Sequence, residues 1–166
     1  MATKILTSLL PCCIFLGLDA RGRGGLVIDR ISRCIKILNF WAFESYLGGD
    51  FMVEGIGKEI RIINVYGPHT DHNSFWETRL GKDLLKNDFL ILGGDLNFSL
   101  GEAKSWGPSS HLDNQVAFFS HLLSSNGLID IAPLKILPTW RKMRVWEARI
   151  AKSFDRFLIF ESLVML

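Results

Sequence analysis

The chain has 166 residues, 48% of them hydrophobic and 22% charged, with a formal net charge of +2. That length supplies one domain with a sizeable core, and the composition excludes disordered and coiled-coil material. Cys12, Cys13 and Cys34 form no C-x-x-C pair and no even-numbered framework, which argues against a disulfide scaffold or zinc site and for a reducing compartment. Mean hydropathy of +0.22 lies on the apolar side for a soluble chain, so some surface is expected to want a cover.

In chain order, Ile5 to Leu18 is an apolar run behind Lys4. It is too short to span a bilayer, Pro11 interrupts it, and no small-x-small cleavage site precedes Asp19-Ala20-Arg21. The expectation is an intracellular chain, the nucleus included, with no membrane partner. Strands are expected at Gly24 to Ile28, at Cys34 to Phe40, at Phe51 to Gly55 after a Gly48-Gly49-Asp50 turn, and at Ile60 to Tyr66 before Gly67-Pro68. A helix follows, with Ser74 and Glu77 at capping-box spacing and Trp76, Leu80 and Leu84 repeating along one face. Phe89 to Leu92 reads as a buried strand and Ser99 to Ser110 as a loop. A second helix is capped by Asp113 or Asn114, turns Val116, Phe119 and Leu123 inward, and stops at Asn126-Gly127. Leu128 to Ile131 and Ser153 to Phe160 supply further strands, giving an α/β pattern with helices over a sheet face.

Gly93-Gly94-Asp95-Leu96-Asn97 is the densest signal, because glycines at a strand's carboxyl end let two short polar side chains gather there. Asp95 can orient or deprotonate a water and Asn97 can hold a phosphate oxygen. An Asx-turn closing the strand accounts for the same residues. Between Lys135 and Arg156 seven Lys or Arg residues face Glu147 and Asp155, a local balance of +5 that leaves −3 elsewhere. Trp140 and Trp146 lie inside this stretch. Cations for phosphates and aromatics for stacking suit nucleic acid, with a solvated basic face as the alternative.

Four signals occur in order: Asn64-Val65-Tyr66-Gly67-Pro68, Gly94-Asp95-Leu96-Asn97, Thr139-Trp140 with downstream arginines, and Ser153-Phe154-Asp155-Arg156-Phe157-Leu158-Ile159. This set resembles the endonuclease/exonuclease/phosphatase superfamily, most closely the endonuclease domain of non-LTR (LINE-type) retrotransposons, from about Asp19 to Ile159. The resemblance implies a four-layered α/β sandwich of two packed, mostly antiparallel sheets flanked by helices, and hydrolysis of phosphodiesters dependent on Mg²⁺ or Mn²⁺. It implies that Tyr66 stands near the scissile phosphate and that Asp95 positions or activates water, with Asn97 its companion on the phosphate. Asp155 would orient a catalytic histidine. Trp140, Arg141 and Arg144 would face DNA, and Asp95 is the one candidate metal ligand.

The chain also departs from that pattern. Met1 to Leu18 carries no acidic residue where a Gln-Glu-Thr-like motif supplies the main metal ligand, and no histidine follows His121 where a Ser-Asp-His motif is expected. His69 and His72, with Asp71, loosely resemble a metal cluster but read as loop histidines. The expected division is an atypical segment over 1–18, a partial domain over 19–160 and a divergent tail over 161–166. The expected function is that of a truncated relative of a retroelement-type DNA endonuclease with reduced or no activity. The alternatives are a non-enzymatic nucleic-acid-binding remnant and a phosphatase-like hydrolase of small phosphoesters. Sheet edges left open would invite a complementing chain or aggregation.

Overall fold

The computed structural model describes residues 13–19, 25–31, 34–82, 87–98, 100, 105–106, 115–142 and 150–166. β1 (Cys13–Asp19) and β2 (Gly25–Ile31) form an antiparallel hairpin that lies against the main sheet. That sheet has six strands: β3 (Ile35–Phe43), β4 (Tyr46–Val53), β5 (Glu59–Tyr66), β6 (Leu90–Asp95), β8 (Leu128–Ile131) and β11 (Asp155–Phe160), in the order β3-β4-β5-β6-β11-β8. Only β5 and β6 run parallel, and α1 (His72–Lys82) makes the crossover such a pair requires. α2 (Val116–Ser125) leads into β8. A small sheet of β7 (Ser105–Trp106), β10 (Ile150–Lys152) and β9 (Trp140–Lys142) stands just before β11, and a 3-10 helix (Glu161–Met165) follows it.

The two-residue period of strands sorts the side chains onto two faces. Ile63, Val65, Leu90, Leu92, Leu128 and Leu158 are buried on the helix side, where Trp76 of α1 and Phe119 and Leu123 of α2 meet them. Phe98 stacks on Phe119 with centroids 3.7 Å apart, and Trp76 meets Phe98 edge-on. This cluster therefore anchors the loop that leaves β6. On the opposite face Ile62 joins Leu47, Phe51, Ile35 and Ile37, whereas Ile129, Ile131 and Phe157 stay exposed.

The mixed sheet, the smaller sheets and the two helices bear out an α/β fold. Several expected elements sit differently. Gly48-Gly49-Asp50 is no turn but the middle of β4, and the chain reverses at Glu44-Ser45. The glycine is required because the Trp41 ring lies over the backbone, 2.7 Å from where a Gly48 Cβ would be. α1 begins at His72, so Ser74 is not its cap, while Leu84 lies outside the described residues. α2 starts behind Gln115, outside whose described neighbourhood Asp113 and Asn114 fall, and it ends at Asn126 and a left-handed Gly127 as expected. The later part of the apolar N-terminal run contributes β1, β6 continues through both glycines to Asp95, and Ser105–Trp106 forms a strand inside the expected loop.

Candidate phosphoester site

Strand register builds the site. Tyr66 pairs with Asp95 across β5 and β6, and Asp95 pairs with Asp155 across β6 and β11. The three residues form one row at the carboxyl ends of β5 and β6. Their neighbours Val65 and Leu158 are buried on the helix side, so alternation points the row to the other face. Gly94 brings the strands together here: at φ +127° a Cβ would stand 2.2 Å from the Val65 carbonyl oxygen.

Each polar group in the row has a physical setting. Asp95 Oδ1 accepts the Asn97 backbone N–H at 3.1 Å, so the Asx-turn does form. Burial raises the Asp95 pKa above 3.8; the Asn97 N–H bond opposes this, the Asp155 charge adds to it, and the His69 charge opposes it. Asn97 takes a left-handed φ of 54° and is buried, and its Nδ2 donates to the Gly67 carbonyl at 2.5 Å. That amide therefore ties the exit of β6 to the exit of β5, a bracing role that the sequence did not suggest. Tyr66 Oη lies 2.9 Å from His69 Nε2.

Asp155 is positioned by Thr139, whose Oγ1 accepts the backbone N–H of Phe154 at 3.0 Å and of Asp155 at 3.2 Å. Thr139 N–H in turn donates to the Lys152 carbonyl at 3.0 Å. Trp140 packs against Phe154 with ring centroids 5.7 Å apart. Arg141 is exposed on β9, and Arg144 lies outside the described residues. A pocket of about 290 Å³ opens beside the row, lined by His69, His72, Asn97, Trp140, Lys152 and Phe154.

Arg156 corrects the reading of the basic stretch. It is only 5% exposed and donates to Asp130 Oδ2 at 2.8 Å, to the Phe98 carbonyl at 3.4 Å and to the Ser153 carbonyl at 3.3 Å. Burial lowers its pKa, and the Asp130 carboxylate opposes that shift. This guanidinium is a strut between the two loops that flank the row, not a contact for DNA. Its signal in the sequence was an arginine at an inward strand position, one residue from Asp155 and two from Leu158. His69, read from the sequence as a loop histidine, and Lys152 and Phe154, to which sequence reasoning assigned no separate role, line the same pocket because only the fold brings these segments together.

The implied divalent cation fits this donor set poorly. Among the described residues no group of three or more His, Cys, Asp or Glu side chains could hold a metal ion, and Asp95 with Asp155 is the most that register assembles. His69, His72 and Asp71 do not form the loose cluster their spacing suggested.

No protein-family model and no curated protein sequence matches the chain. Solved structures do. The endonuclease domain of TRAS1, a telomere-specific non-LTR retrotransposon, aligns over 99% of this chain and 80% of its own, with a TM-score of 0.68 and 14% identity. D. rerio TDP2 complexed with a single-strand DNA product aligns over 96% of this chain and 67% of its own, with a TM-score of 0.68 and 14% identity. A Bacteroides thetaiotaomicron mannosyl-6-phosphatase aligns over 96% and 67%, with a TM-score of 0.59 and 13% identity. The chain carries the fold of the endonuclease/exonuclease/phosphatase superfamily, the one its ordered motifs resemble.

Proposed function

We propose that the chain is a phosphodiester hydrolase of the retroelement-endonuclease type, acting on DNA with turnover below that of a complete site. The observation that carries this reading is the row of Tyr66, Asp95 and Asp155 across three adjacent strands. Hydrolysis needs a water held in line, an acceptor for its proton and a clamp on the phosphate. Asp95 is the acceptor. Its raised pKa marks a carboxylate whose proton affinity is above the ordinary, which suits a base. The Asp155 charge adds to that rise, and Tyr66, half-exposed at the rim, offers a hydroxyl toward bound phosphate.

A polymer substrate is favoured by the surroundings. Trp140 and Phe154 present rings beside Lys152, and Arg141 is exposed on the adjoining strand. Stacking and charge of this kind suit a nucleotide chain better than a small phosphoester. The fold is also seen in a structure holding a single-strand DNA product.

Nicking of supercoiled plasmid with Mg²⁺ or EDTA, beside Asp95→Ala, tests this. Nicking that is lost in the variant supports hydrolysis, and the EDTA arm reads whether a divalent cation takes part. Salt-sensitive DNA binding without nicking, weakened by Arg141→Ala and indifferent to Asp95→Ala, would replace it with the binding reading.

A further inference from the structure

The imidazole of His69 and its bond to Tyr66 play no part in the reading above. His69 lies three residues past Tyr66 in the loop between β5 and α1, and its backbone carbonyl accepts from His72 Nε2 at 3.1 Å. Because a carbonyl only accepts, Nε2 is the protonated nitrogen of His72. Its Nδ1 is buried without a partner among the described residues. The His72 ring also stands edge-on to Phe119. His72 is thus a buttress that holds the loop. His121 is engaged with Ser125 on α2.

His69 is differently placed. Its ring is exposed, lines the pocket with Asn97 and Lys152, and has one nitrogen 2.9 Å from Tyr66 Oη. It is also close enough to Asp95 for the two charges to interact. Imidazole is the side chain that exchanges protons most readily between pH 5 and 8.

We propose that His69 is a catalytic residue of this site, donating a proton to the leaving oxygen while Asp95 takes one from the attacking water. The proposal rests on the hydrolase reading. Water oxygen bonds to phosphorus, the bond from phosphorus to the leaving oxygen breaks, and that oxygen keeps the electron pair and takes the imidazolium proton. A phosphomonoester and an alcohol result, and both side chains return to their starting states through solvent. Tyr66 is the positioning residue that fixes the ring, so the proton carrier comes from the β5–α1 loop. The charged or titratable groups brought near His69 include Tyr66 on β5, His72 on α1, Asp95 on β6 and Lys152 on β10, with Asp71 two residues along its own loop.

The test compares an oligonucleotide having a natural linkage with one having sulfur at the leaving position, since a thiolate departs without protonation. His69 is exposed, so His69→Asn is expected to fold. It should lower turnover on the natural linkage by about 10²- to 10⁴-fold and leave the sulfur-linked substrate near the wild-type rate. The pH profile on the natural linkage should lose one limb. Equal losses on both substrates would overturn the assignment. If the wild-type protein cleaves neither substrate, the hydrolase reading fails by itself, and NMR of the histidine rings with inorganic phosphate then decides on His69. A His69 ring resonance that moves with phosphate keeps it at the phosphate; an unmoved one overturns the proposal.

Discussion

Replacing Asp130 by alanine should destabilise the chain more than its surface position on β8 suggests. Arg156 is 5% exposed, and its salt bridge to Asp130 at 2.8 Å offsets the cost of burying the guanidinium. The Phe98 and Ser153 carbonyls contribute longer bonds and cannot replace a carboxylate's charge. Leaving one partner of a buried pair alone costs roughly 3–5 kcal/mol. The Asp130 side chain is 18% exposed, so water can partly replace it and the lower end, about 3 kcal/mol, applies. For a chain of this length that is a fall in Tm of roughly 6–12 °C. Thermal and urea unfolding followed by circular dichroism would measure it. The double variant Asp130→Ala with Arg156→Met should be more stable than Asp130→Ala alone, because no buried charge remains. A loss below about 1 kcal/mol, the range of an exposed pair, would refute the reasoning and mean that Arg156 reaches water.

Two further substitutions probe the strands beneath the row. The raised pKa of Asp95 means the folded state holds that proton more tightly than the unfolded chain, so this carboxyl disfavours folding as pH rises through and above 3.8. Asp95→Asn should therefore raise Tm at pH 7, with the gain shrinking as pH falls below 3.8; an equal gain at both pH values would contradict burial as the cause. Gly94→Ala should cost about 2–5 kcal/mol by adding left-handed strain to a clash with the Val65 backbone, read from the urea midpoint. A variant as stable as the parent would show that β5 and β6 approach less closely.

Sequence alone determined the parts that local chemistry specifies. Short apolar runs marked β5, β6, β8 and β11, because buried strands of this length need few polar residues. Asn126-Gly127 marked the end of α2, because a left-handed turn there suits glycine. The ordered motifs named the fold and four residues of the candidate site. Tertiary structure decided the rest. Gly48-Gly49 looked like a turn because no local signal reports that the Trp41 ring lies over that backbone. Arg156 counted as a DNA-facing cation until pairing of β11 with β8 set it beside Asp130. Asn97 is expected at the phosphate, and only the closeness of the two strand exits reveals that its amide also braces the Gly67 carbonyl. His69 read as one more loop histidine. What sets it apart is a 2.9 Å bond to a tyrosine that strand register, a long-range property, aligns with Asp95.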